Sequence, residues 1–155
     1  MVDDASFSIR VREAFGNCRK YIQRRHVTPR AAMNVESSPT RGDRLTAAQR
    51  DRLARADTFF IASSHAQAGV DASHRGGMPG FVRVLGDDRI EWTDYAGNNM
   101  FQTLGNLAVD PRAGLLFVDF ERGATLQLAG RASIQWGEAR TVSFTIDRVI
   151  ETPGG

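Results

Sequence analysis

The chain of 155 residues holds a single cysteine, Cys18, so no disulfide can close within it and no disulfide scaffold is in prospect. Cys18 reads as a free structural thiol. Lysine is almost missing as well: Lys20 stands alone, and arginine carries all other fixed positive charge. No apolar run approaches the roughly 20 residues that a membrane-spanning helix needs. The first residues include Asp3 and Asp4 where a signal peptide would be basic and then apolar, so the expectation is a cytoplasmic protein without membrane attachment. Walker-type phosphate loops, CxxC pairs and HExxH are all absent. His26, His65 and His74 are scattered without metal-ligand spacing, and no metal site is expected.

What is present fits one domain of ordinary composition, 41% hydrophobic and 25% charged. The net charge of +2 is unevenly spread. Residues 1–57 hold twelve basic and seven acidic side chains, whereas residues 58–155 hold eight and eleven. A basic first half could meet nucleic acid through electrostatics alone. However, Arg41, Arg44, Arg50, Arg52 and Arg55 alternate with acids and have no aromatic residue among them for base stacking. They read as a solvated face, and no nucleic-acid partner is expected.

The pattern along the chain is mainly β. Residues 6–11 alternate polar and apolar and suggest a short strand. Residues 26–44 hold two prolines and many small polar residues and read as a connector. Thr46 with Gln49 has capping-box spacing, which predicts a helix over 47–56. The run 58–63 is aromatic and β-branched, as a buried strand would be. Two strands, 80–85 and 89–93, flank a Gly86-Asp87-Asp88 turn. A helix is expected to begin at Asn98-Asn99, with Met100, Leu104 and Leu107 on one face, and to stop at Asp110-Pro111. Strands over 114–120, 124–134 and 141–150 follow. Six antiparallel strands with one inserted helix can close into a barrel, which removes exposed edges. The expected division is an N-terminal extension, 1–45, and a barrel domain, 46–152.

Two clusters could carry chemistry. In the first, Asp71 to Val84, His74 and Arg75 sit in what looks like a Gly-rich turn, where backbone N–H groups can approach an anion and arginine can grip it with two bonds. In the second, Trp92 to Leu107, a strand ends and a helix begins at asparagines. A helix start offers free N–H groups to a phosphate, although asparagine there is also a common cap.

The pattern D-x-S-x-R-G-x-x-x-G-F-V-x-V over 71–84, then Gly97-Asn98-Asn99, then D-P-R-x-G-L-L-F over 110–117 resembles the pyridoxamine 5′-phosphate oxidase-related FMN-binding proteins, a six-stranded antiparallel split β-barrel family. The similarity covers about residues 46–136. Upstream, Gly16-Asn17-Cys18 and Tyr21-Ile22-Gln23 are similar to one bacterial, flavin-nucleotide-binding branch. The resemblance implies FMN as cofactor, with Arg75 and secondarily Arg83 neutralising its phosphate, and Asn98 and Asn99 completing the phosphate and ribityl contacts. It implies that the Phe81-Val82-Arg83-Val84 strand offers backbone groups to the flavin ring, and that Trp92, Thr93, Asp94 and Tyr95 line it. It also implies a homodimer with flavin between subunits, a small-molecule substrate, and in some relatives a linked reductase module.

Departures narrow this. Met100 stands where many relatives have arginine, which removes one fixed charge from the phosphate region. The C-terminal substrate-binding arginine and histidine of the vitamin B6 oxidases are not found, so that reaction is not expected. Tyr95 and His74 are the only acid–base candidates near the implied ring, and neither is assigned. The Thr152-Pro153-Gly154-Gly155 ending is linker-like and fits either a short member or an excised piece. Three functions are open at this point: an FMN-dependent oxidoreductase, a non-catalytic flavin- or haem-binding module with His74 or His65 as axial ligand, and, last, a nucleic-acid binder.

Overall fold

A computed structural model describes residues 8–11, 14, 16, 19–26, 38–97 and 101–154 of the chain. Helix α1 (Ala47–Arg55) forms where the capping box places it. The Thr46 side chain accepts from the Gln49 backbone N–H, and the Gln49 side chain accepts from the Thr46 N–H. These bonds satisfy two of the helix-start donors that would otherwise lack partners. The helix then buries Leu53 completely. Gln49 and Arg52 both reach Glu151, at 2.8 and 3.4 Å, which ties the helix to the last strand.

The strands are β1 (Thr40–Gly42), β2 (Thr58–His65), β3 (Gly69–Gly76), β4 (Val82–Val84), β5 (Arg89–Thr93), β6 (Arg112–Val118), β7 (Thr125–Gln135) and β8 (Thr141–Thr152), with helix α2 (Gln102–Val109) between β5 and β6. All pair antiparallel in the order β3-β2-β6-β7-β8-β5-β4, and β1 adds to β8. The fold is a mainly β, antiparallel split barrel with two helices, as the sequence pattern suggests. Its edges, β3 and β4, are not bonded to each other among the described residues.

The core lies inside the curl. Phe59 is fully buried and is packed by Phe81, Trp92 and Phe117, with ring centroids 5.8, 5.0 and 5.1 Å away. Strand alternation sends Leu126, Leu128, Val142, Phe144 and Ile146 inward. A bulge interrupts the β7–β8 ladder: Ala129 faces Arg148 but Gly130 faces Ile146, leaving Asp147 as the extra residue. The one-residue shift turns Val149 inward, so that Arg148 and Ile150 lie outward.

Several elements differ from expectation. Among the described residues eight strands stand where six were expected. The largest addition is β3, where the sequence suggested a Gly-rich turn, because its inward positions are polar. Asp71, Ser73 and Arg75 are not residues that announce a half-buried strand, yet β3 pairs with β2 along its whole length. Polar groups from α2 meet part of that face, while Asp71 Oδ1 is buried without a hydrogen-bond partner among the described residues. Asp71 Oδ2 accepts from Ser73 Oγ at 3.0 Å and from Thr103 Oγ1 at 2.6 Å, and Asn106 Nδ2 donates to Ser63 Oγ at 3.1 Å. The expected connector over 26–44 contains β1. Residues 8–11 are not in a strand, and residues 6 and 7 lie outside the described residues. Helix α2 covers Gln102–Val109; its expected start at Asn98-Asn99, with Met100, lies outside the described residues.

Candidate functional site

Arg75 is the penultimate residue of edge strand β3, on the same face as Asp71 and Ser73. It is half-buried, and the one hydrogen bond its side chain makes to a described residue runs from Nη1 to the His74 carbonyl at 2.9 Å. Burial pushes its pKa down from the ordinary arginine value, while Asp94 and Asp71 attract the charge and oppose that shift. Neither carboxylate pairs with it. Asp71 is held by two hydroxyls, and Asp94 receives Arg140 Nε at 3.0 Å. Among the described residues, Arg75 is therefore a partly desolvated cation without a carboxylate partner, a costly arrangement unless an anion completes it.

A second component comes from the N-terminal extension. Residues 19–26, with one 3-10 turn at Arg19–Tyr21, cross the chain just beyond Arg75. The Tyr21 carbonyl lies so close to Gly76 that a Cβ there would be 2.1 Å from it. Only glycine allows this approach. The Tyr21 ring stacks on Tyr95 with centroids 5.0 Å apart, and its hydroxyl and the Lys20 ammonium both donate to the Ala96 carbonyl, at 3.3 and 3.5 Å. Gln23 Nε2 donates to the Gly77 carbonyl at 3.1 Å, and Arg25 pairs with Asp57 and covers the Phe120 ring.

The residues singled out in the sequence are thus distributed unevenly. Arg75, Asp94 and Tyr95 gather around the end of β3 and the loop before α2. Thr93 ends β5, half-buried, beside Thr141. Phe81, Val82 and Trp92 are core side chains, so only their main chain could face a ligand, and Val84 also packs on the core. Arg83 is exposed and forms an ion pair with Glu91. Asn98 and Asn99 lie outside the described residues.

Sequence reasoning did not assign Tyr21, Lys20 or Arg140 to this region. The Tyr21-Ile22-Gln23 segment was visible as a motif, but nothing in it says which strand end it crosses. The polar layer Ser63, Asp71, Ser73, Thr103 and Asn106 was also missed. Its one signal was the alternation of Asp71 and Ser73 with Ala72.

On the opposite, outward face, β2, β3, β6, β7 and β8 form a trough of about 470 Å³ lined chiefly by small or apolar groups, including Phe60, Ala62, Ala72, Leu116, Ala129 and Ile150. His74 borders it, edge-on to Phe60 at 5.9 Å. Burial, with help from the Arg75 charge, lowers the His74 pKa below its usual 6.5, so the imidazole is neutral at neutral pH.

The architecture is a split antiparallel barrel with α2 packed on β2, β7 and β3. The chain belongs to the pyridoxamine 5′-phosphate oxidase family, whose model matches residues 45–152. Solved structures with a similar fold include HupZ of Group A Streptococcus, with TM-score 0.55 and 13% identity, covering 72% of this chain and 99% of that one. A variant of the same protein gives TM-score 0.56 and 18% identity over 69% of this chain and 98% of that one. A candidate pyridoxamine 5′-phosphate oxidase from Lactobacillus delbrueckii gives 0.52 and 16%, covering 70% and 94%. At these identities the likeness is one of fold. No curated protein matches the sequence.

Proposed function

We propose that the chain is an FMN-binding flavoprotein that transfers hydride or electrons between a reduced nucleotide and a small acceptor, and that it acts as a homodimer. The observation that carries the reading is Arg75, a partly buried guanidinium without a carboxylate partner among the described residues. A phosphate monoester is the complementary group, since it can take two parallel bonds from arginine. Family membership supports a flavin as the bearer of that phosphate.

The residues present fit FMN. Arg75 would hold the phosphate, with the 94–97 loop beside it. Strands β3 and β4 each have one unpaired edge among the described residues, so their main-chain groups can hydrogen-bond a heterocycle. FMN, when bound, supplies the redox chemistry. The chain's own part is to fix the phosphate, orient the ring with backbone groups and exclude water.

The outward trough supports the homodimer. An apolar, concave sheet face with alanines at Ala62, Ala72 and Ala129 lets another surface approach closely. The occupant proposed is a second copy of the chain. Arginine placed at Ala129 should then convert a dimer to a monomer in gel filtration.

The primary test is a visible spectrum of the purified protein with added FMN, before and after gel filtration. Retained flavin bands at dimer size support the reading, and NADH or NADPH turnover is measured next. A protein that loses all colour on filtration overturns the FMN assignment. A neutral His74 at the rim of an apolar trough favours haem as the second reading, and a Soret band after haem addition would select it.

A further inference from the structure

The N-terminal segment is fastened at four places along one path: Arg25 to Asp57 at the start of β2, Gln23 to Gly77, the Tyr21 carbonyl against Gly76, and Tyr21 with Lys20 on Tyr95 and Ala96. This path bridges the end of β3, next to Arg75, and the loop that leads to α2. It delivers the chain's only lysine to the Ala96 carbonyl. A lysine ammonium has three donors; Ala96 takes one, the Tyr21 ring lies 5.5 Å away, and Lys20 is otherwise an exposed residue. Residues 94–101, which lead into α2, contain no basic side chain of their own.

We propose that Lys20, carried by the 19–26 strap, is the second cation of the Arg75 anion site, supplying a charge that the loop before α2 does not itself contain. The proposal deepens the FMN reading and rests on it for the identity of the ligand. Tyr21 is the positioning residue. Its ring on Tyr95 and its hydroxyl on Ala96 fix the direction in which the adjacent Lys20 leaves the strap. The site is thereby selective for phosphorylated over unphosphorylated flavin.

The test compares the wild-type chain with Lys20→Gln and Lys20→Arg, using FMN and riboflavin as titrants and thermal melting in inorganic phosphate against chloride at matched ionic strength. Lys20→Gln should weaken FMN about three- to fivefold, the range for an exposed charge pair, leave riboflavin affinity unchanged and reduce stabilisation by phosphate. Lys20→Arg should restore wild-type behaviour. Equal losses for FMN and riboflavin, or no loss for either, overturn the proposal, because a merely structural strap does not distinguish the two. If the wild type binds neither flavin but phosphate still stabilises it through Lys20, the anion site stands and the FMN reading fails. If phosphate has no Lys20-dependent effect either, both fail.

Discussion

Replacing Arg75 with methionine should move ligand affinity and fold stability in different directions. The side chains are similar in length, so the stem can keep its packing while the charge is removed. On the ligand side, the loss is that of hydrogen bonds to a charged group, about 1.5–3 kcal/mol, or roughly a 10- to 150-fold weaker FMN complex. On the stability side two terms compete. The variant forfeits the Nη1 bond to the His74 carbonyl and the attraction of Asp94 and Asp71. It gains relief from a partly desolvated guanidinium that no carboxylate among the described residues contacts, a cost of up to about 1–3 kcal/mol for an unsatisfied buried group. The balance is near zero or favourable to the variant by about 1 kcal/mol, a rise of roughly 2–4 °C in a chain of this size. Calorimetric FMN titration and urea unfolding of the flavin-free protein measure the two terms separately. A flavin-free variant destabilised by more than about 2 kcal/mol would show that Arg75 is a structural residue. Unchanged FMN affinity would show that it does not hold the phosphate. Either result refutes the reasoning, and the same experiment on Arg83, already neutralised by Glu91, should give little change in affinity.

Gly130→Ala should be severely destabilising, by about 3 kcal/mol or more, in urea unfolding, because its Cβ would fall 2.0 Å from the Thr145 carbonyl and 2.9 Å from the Phe144 ring within the bulged ladder. Thr46→Ala should cost about 1 kcal/mol, the usual worth of an N-cap, and far-ultraviolet dichroism should show helix α1 retained, since Leu53 still anchors it. The His74 prediction concerns pH. Its folded-state pKa lies below the unfolded 6.5, so the unfolded chain takes up the proton first, and stability falls as pH drops from 6.5 towards the folded value. His74→Gln should flatten the melting temperature in that window only. A variant that retains the full wild-type slope would assign the effect to other groups.

How far the chain could be read in advance depended on whether the information was local. The capping box of α1 was legible because Thr46 and Gln49 act within one helical turn. The β4–β5 hairpin and the strands from 112 to 152 were legible because turn residues and alternation belong to neighbouring positions. The motif that places the chain in its family was likewise contiguous over 71–84 and 110–117. Strand β3 was not legible. Its inward polar residues are made tolerable by Thr103 and by the hydroxyls of the same layer, and nothing near Asp71 in sequence predicts that partner. The bulge that turns Arg148 and Ile150 outward was hidden too, since it arises from Gly130 admitting the Thr145 carbonyl of the adjacent strand.

The candidate site divides in the same way. From sequence alone came Arg75, the loop of Asp94 and Tyr95, and the expectation of a phosphate. The tertiary structure alone decided that Trp92 and Val82 are spent on the core, that Asp94 is occupied by Arg140, and that Arg83 is occupied by Glu91. It also decided that Tyr21 crosses Gly76 and brings Lys20 to Ala96. The physical reason is that a residue's type and its local period follow from the chain itself, whereas its partner is set by which distant segments the curled sheet brings to the same edge.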